Sequence, residues 1–267
     1  KIKEMILNSL GTEKTKPSIC AQLISSISMA EFQINSWTEL LPILTENIKG
    51  SDNNELKEAS IEAVGYICQD LPQVILAPYS SDLLNNIIFC MKKEESDRVR
   101  LVATKALLNS IEFIGKNFEV EMQRNMIMQF VCESSVSPVC KIKIAGLQCL
   151  SKIVSLYYNF METYMTQALF SITLDAMKSP DKDVAMQGIE FWSSLSEEEQ
   201  NINLCAEEGD KQMFMNKNYS IKALPYIIPF ILEHLSSDTE DDDEDSWNPH
   251  KAASVCLMLM ANACGNE

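Results

Sequence analysis

Turn-forming residues are scarce in this chain, with 8 glycines and 9 prolines among 267 residues. An all-β protein of many short strands would need far more of them. Histidine is rarer still: His234 and His250 are the only two, and neither has a carboxylate or nucleophile at a spacing that suggests a catalytic dyad. The chain contains no glycine-rich phosphate loop, no H-E-x-x-H helix and no zinc-ligand spacing. An enzyme is therefore not expected, short of catalytic groups gathered from distant parts of the chain, and neither a cofactor nor a metal is expected. Apolar stretches such as Val255–Ala261 fall far short of the ~20 residues that span a bilayer, so membrane insertion is not expected.

Positive charge is thin as well. Lys and Arg total 22 against 38 Asp and Glu, a formal net charge of −16. The densest cationic points are Lys14–Lys16 and Lys92–Lys93, and no basic stripe exists. A nucleic-acid backbone would be repelled, whereas a cationic partner would be drawn in. Nine cysteines without a C-x-x-C pair read as reduced thiols serving as small hydrophobes. Cys20, Cys68, Cys90, Cys132, Cys149, Cys256 and Cys264 all fall in apolar helical patterns. This usage points to a reducing compartment, cytosol or nucleus, where the Asn218-Tyr219-Ser220 sequon is inert. The opening inside a helical pattern, Lys1–Leu10, reads as the cut edge of something longer.

What the sequence does have is helical periodicity almost end to end, arranged in a repeat. Four segments align when anchored at Leu56, Val99, Ile142 and Val184, at intervals of 43, 43 and 42 residues. Four positions on stand Ser60, Ala103, Gly146 and Gly188, all small. Eight positions on stand Val64, Leu107, Leu150 and Trp192, all large and apolar. A small residue lets a neighbouring backbone approach, and the large one fills the space beside it. The period matches HEAT or armadillo units of about 40–47 residues.

Each unit reads as an αα-hairpin whose second helix follows a short Asp/Asn/Ser segment able to cap it. The pairs are Glu39–Lys49 with Asn54–Cys68, Ser81–Lys93 with Arg98–Ile114, Asn125–Cys132 with Cys140–Tyr157, and Tyr164–Met177 with Asp183–Leu195. Atypical units flank them: Lys1–Leu10 with Ser18–Ser28, and Ala223–Leu235 with Pro249–Cys264. The expected fold is all-α, an α-solenoid (a right-handed superhelix) of about six HEAT repeats, forming one segment over residues 1–267. Two irregularities interrupt the period. A polar stretch, Ser196–Ser220, precedes the last unit, and residues 236–246 lengthen the connection inside it.

That insertion carries an unbroken acidic run, Glu240, Asp241, Asp242, Asp243, Glu244 and Asp245, followed by Trp247-Asn248-Pro249. A calcium loop would alternate its ligands and include a glycine for the turn, and the run does neither. Two readings stay open. Like charges favour a solvated spacer by self-repulsion. Alternatively, carboxylates beside an indole suit a Lys/Arg-rich segment, because a cation over an aromatic face contributes about 0.5–2 kcal/mol. Trp247 reads equally as core.

The helix Ser81–Lys93 carries a second anomaly. Leu83, Ile87 and Met91 supply its buried face, yet Leu84 and Ile88 form a second stripe about 100° away. The next outer helix shows a similar excess in Met126, Ile127, Met128 and Phe130. These residues read either as packing between repeats or as a shallow outer pocket for small aromatic motifs, with Met adding adaptability.

Several strings go beyond generic repeat patterning: E-A-V-G-Y-I-C-Q-D at Glu62–Asp70, A-L-L-N-S at Ala106–Ser110, S-L-Y-Y at Ser155–Tyr158, M-E-T-Y-M at Met161–Met165, G-I-E-F-W at Gly188–Trp192, and the acidic run into Trp247-Asn248-Pro249. In this collinear order the chain resembles the importin β family of karyopherins, over about its third to eighth HEAT repeats. The resemblance implies a nuclear import receptor shared between cytoplasm, nucleus and the pore. It implies that Glu190, Trp247 and the acids Glu240–Asp245 meet the arginine-rich segment of importin α. It implies a Ran-GTP contact at Asp241, Asp242, Asp243 and Glu244, weak here because the family's first two repeats are missing. It also implies a Phe-Gly nucleoporin pocket at Leu84, Ile88, Met126 and Ile127, with Asn85, Gln123 and Met126 standing where the family often has Thr, Glu and Phe. Basic cargo proteins complete the expected partners. The rival reading is a structural HEAT scaffold, such as a phosphatase regulatory subunit, that binds folded subunits and ignores basic peptides.

Overall fold

The computed structural model describes residues 1–34, 36–207, 215–236 and 247–265, and among these residues it is helical with no strand. Two compact units divide the chain, Lys1–Ser134 and Ser135–Glu267. In the first unit the helices are α1 (Ile2–Ser9), α2 (Ile19–Gln33), α3 (Leu40–Gly50), α4 (Asn54–Asp70), the single turn α5 (Gln73–Leu76), α6 (Ser80–Cys90), α7 (Asp97–Ser110), α8 (Gly115–Glu119) and α9 (Glu121–Ser135). In the second they are α10 (Cys140–Tyr157), α11 (Glu162–Tyr164), α12 (Phe170–Met177), α13 (Lys182–Glu207), α14 (Tyr219–Ser236) and α15 (Pro249–Cys264). A π-helical turn, Met165–Leu169, joins α11 to α12.

Hairpins stack in both units. In the first, the trailing helices α2, α4 and α7 pack side by side, each against its own leading helix α1, α3 or α6. In the second, α10, α13 and α15 form the row, with α12 against α13 and α14 against α15. Side-chain caps start most of these trailing helices, as their polar lead-ins suggest. Ser18 accepts from the Ala21 amide at 3.1 Å, Asn53 from Glu55 at 2.9 Å, Asp181 from Val184 at 3.1 Å, and Asn248 from Lys251 at 2.9 Å. Each satisfies an amide that the helix itself cannot.

The small-then-large registry is the packing rule of the stack. Ser60 and Ala103 are fully buried, as are Val64, Leu107, Leu150 and Trp192 to within a percent. A Cβ on Gly188 would stand 2.7 Å from the Met177 backbone nitrogen, so α12 and α13 touch at a point only glycine allows. Five of the nine thiols, Cys68, Cys90, Cys149, Cys256 and Cys264, lie in this interior. Burial pushes the Cys90 and Cys256 thiols up to about 12, which makes them packing groups and poor nucleophiles.

The polar stretch before the last hairpin is not a connector throughout. α13 runs on to Glu207, because Leu195, Ser196, Glu199 and Ile202 continue its buried face at helical spacing. Two of those four are polar and escape an apolar count. Glu199, only 1% exposed, accepts from the Tyr158 hydroxyl at 2.7 Å, the Tyr219 amide at 2.6 Å and the Ser220 amide at 3.0 Å. One carboxylate thus caps the N-terminus of α14 from the side of α13, where the helix dipole favours negative charge. Asn216 reinforces the join, its amide donating to the Glu199 carbonyl at 3.3 Å and to Asn203 Oδ1 at 2.8 Å.

Candidate functional site

Asn248 caps α15 and Pro249 occupies its first turn, an arrangement that suits an N-terminus. The residue just ahead, Trp247, is therefore held against the helix row. Its Nε1 donates to Glu190 Oε1 of α13 at 2.8 Å. Trp247 keeps 52% of its surface exposed, so the reading of it as core is set aside. Residues 57 apart in sequence are brought together because α13 and α15 are neighbours in the row. Glu190 is half-buried, and Glu197 stands seven residues on, near the same side of α13 and exposed. Beside it, burial and the Glu197 carboxylate raise Glu198 above the usual carboxylate range. The result is an indole and at least two carboxylates on one stretch of the row, chemistry suited to a guanidinium that stacks on the ring while it meets an acid. The acidic residues Glu240, Asp241, Asp242, Asp243, Glu244 and Asp245, and with them the Ran contact expected at Asp241–Glu244, lie outside the described residues.

The residues expected to wall the outer aromatic pocket lie deeper than their sequence pattern suggests. Leu84 is 2% exposed, Ile88 5% and Ile127 0%, so three of its four expected walls are interior. Only Met126 is half-buried. The second stripe on α6 exists because that helix is gripped from several sides, by α3, α4 and α7 together. An open cleft of about 600 Å³ does lie between the C-terminal halves of α6 and α9, lined by Phe89 and Phe130 with Lys92, Lys93, Gln129 and Glu133. The ammonium of Lys92 sits 4.8 Å from the Phe89 ring centroid. Phe130 belongs to the apolar excess visible in the sequence, whereas periodicity alone does not separate Phe89 from its buried neighbour Ile88.

Two rows of capped hairpins, a repeat of about 43 residues and the small-then-large registry define an α-solenoid of HEAT repeats. Relatives give the particular kind. The importin subunit beta-1 of Schizosaccharomyces pombe is 37% identical over 271 residues, covering 99% of this chain and 31% of that protein. That of Saccharomyces cerevisiae is 36% identical over 272 residues, 100% of this chain and 31% of the relative. Solved structures agree: yeast importin-β (Kap95p) superposes with a TM-score of 0.92 at 35% identity over 99% of this chain and 31% of that one. A Kap95:Nup1 complex gives 0.89 at 36% identity, again over 99% and 31%. Kap95p in a structure with RanGDP gives 0.90 at 35%, with the same coverage. No family model matches the chain. The chain belongs to the importin β family and spans about a third of the length of the relatives it matches.

Proposed function

We propose that this chain is the basic-segment-binding part of a nuclear import receptor, active by binding rather than by catalysis. The carrying observation is the half-exposed Trp247 latched to Glu190 at 2.8 Å, which sets one arginine-sized place on the helix row. The arginine-rich segment of importin α lies across it, drawn in by the net charge of −16 and met by the acids Glu240–Asp245. Basic cargo proteins use the same chemistry. Phe-Gly nucleoporins dock on the outer helices α6 and α9, where Met126, Phe89 and Phe130 offer apolar surface, and Ran-GTP contacts the acidic run in the longer protein. Such a receptor works in cytoplasm and nucleus and at the pore between them. The relatives at 36–37% identity and the Nup1 and RanGDP structures of Kap95 support this reading.

Fluorescence anisotropy with an arginine-rich importin α peptide tests it. Trp247→Ala is expected to weaken binding about 10-fold, near the upper range of one cation–π contact plus its packing. Equal affinities for wild type and Trp247→Ala would remove the proposal. Glu190→Gln is expected to weaken binding a few-fold while leaving the indole in place. A variant with Glu240–Asp245 neutralised is expected to flatten the salt dependence of binding, because exposed charge pairs are screened beyond about 8–10 Å near physiological salt. An unchanged salt slope would exclude the run from the contact.

A further inference from the structure

A second concavity lies in the Ser135–Glu267 unit, and neither Trp247 nor Glu190 lines it. It is a cavity of about 330 Å³ walled by Met165 of the π-turn, Phe170, Trp192, Tyr219 and the stems of Lys217 and Lys222. Three of its walls are aromatic, with Phe170 edge-on to Trp192 at 6.0 Å. This volume sits at the lower end of those of small-ligand pockets, about 300–1,000 Å³, and suits a single ring with a short polar arm.

Two polar atoms of this wall are unused. The indole Nε1 of Trp192 and the hydroxyl of Tyr219 have no hydrogen-bond partner among the described residues, although Trp192 is 0% exposed and Tyr219 7%. Leaving a buried donor unsatisfied costs about 1–3 kcal/mol, and an indole N–H donates only. An acceptor is therefore the missing piece. Charge selects its kind. Glu162 is engaged by Lys217 at 2.8 Å, while Lys222 gives one proton to the Lys217 carbonyl at 2.7 Å and makes no ion pair among the described residues, so its ammonium remains to meet an anion, with the Glu162 and Glu199 carboxylates acting on the Tyr219 hydroxyl. The segment that carries these groups is fixed in advance by the Glu199 cap at Tyr219 and Ser220, which lowers the ordering cost of binding. The π-turn contributes Met165 and Thr166 to the lining, and such turns recur at functional sites.

We infer that this cavity binds an aromatic carboxylate, its ring among Phe170, Trp192 and Met165 and its anion on the Trp192 and Tyr219 donors beside Lys222. The same chemistry is offered by a free arylalkanoic acid and by a peptide ending in a C-terminal aromatic residue. The probes are 3-phenylpropionate and N-acetyl-Gly-Phe, each as free acid and as uncharged amide, titrated into the ¹⁵N-labelled chain. The reporter is the Trp192 indole N–H resonance, identified by its loss in Trp192→Phe. A saturable shift is expected with the acids, at least 10-fold weaker with the amides. Tyr219→Phe and Lys222→Gln are each expected to weaken acid binding 3- to 10-fold. Tyr219→Phe removes a hydroxyl with no hydrogen-bond partner among the described residues, so its thermal midpoint without probe is expected to stay level or rise, which a merely structural hydroxyl would not allow. Tighter binding of the dipeptide acid identifies a peptide C-terminus as the ligand, and tighter binding of phenylpropionate a free acid. No shift at millimolar acid, or equal binding of acid and amide, overturns the inference.

Discussion

Glu199→Ala is expected to lower the unfolding free energy by about 3 kcal/mol or more, since each hydrogen bond to a charged group contributes about 1.5–3 kcal/mol and its loss leaves buried donors unpaired. The carboxylate is 1% exposed and holds three donors: the Tyr158 hydroxyl and the amides of Tyr219 and Ser220. Both amides belong to the first turn of α14, where no intrahelical acceptor exists for them. Alanine leaves both amides facing a void and the Tyr158 hydroxyl with Asn216 Oδ1 at 3.2 Å as its acceptor. Glutamine keeps the shape but turns an N–H₂ toward donors, so Glu199→Gln is expected to fall between alanine and wild type. Tyr158→Phe serves as a partial deletion. It removes the donor to Glu199 and the acceptor for the Lys217 amide at 2.9 Å, at about 1–2 kcal/mol. Urea denaturation followed by circular dichroism gives the energies, and hydrogen exchange at Tyr219 and Ser220 locates them. Protection retained at both amides in Glu199→Ala, with a loss under about 1 kcal/mol, would show that this carboxylate is not the anchor of α14.

That anchor marks where sequence reading stops. The Ser-Glu-Glu-Glu-Gln run after Leu195 looks like a solvated linker, because charge patterning assigns acids to water and only tertiary placement reveals which one of three is buried. The stack itself was legible. Ser60, Ala103, Gly188 and their large partners obey one spacing rule imposed by neighbouring backbones, and that rule leaves a periodic trace. Trp247 and Glu190 were legible as residue types suited to a basic guest, whereas the hydrogen bond between them was not. Nothing in the chain says that positions 57 apart become neighbours except the stacking of α13 on α15. The burial of Leu84 and Ile88 was not legible, for the converse reason. Leu84 and Ile88 show as apolar surplus in a helix considered alone, but α6 is touched by α3, α4 and α7, and a helix with several neighbours needs more than one buried stripe.

Gly188→Val is the second large effect, and it links the stack to the site. In an exposed helix, replacing glycine adds up to about 1 kcal/mol of propensity when alanine is the replacement. Here a Cβ would sit 2.7 Å from the Met177 backbone nitrogen and 3.0 Å from the Ala176 Cβ. Backbone cannot rotate away as a side chain can, so α12 must separate from α13. Overpacking of this kind costs about 1–3 kcal/mol, and valine's branched Cγ atoms place it at the upper end. Gly50→Ala provides the contrast. Its Cβ would meet only the carboxylate tip of Glu46, which can swing into solvent, so the expected change there is neutral or stabilising. Gly188 lies two residues before Glu190 and four before Trp192 on the same helix. A displaced α13 therefore disturbs the 2.8 Å bond to Trp247 as well as the core. The expected outcome for Gly188→Val is a loss of about 3 kcal/mol in urea denaturation, together with weakened binding of the arginine-rich peptide under conditions where the variant is still folded. If stability falls but the peptide binds with wild-type affinity, the Trp247–Glu190 pair does not depend on the registry of α12 against α13, and the site is set by α15 alone.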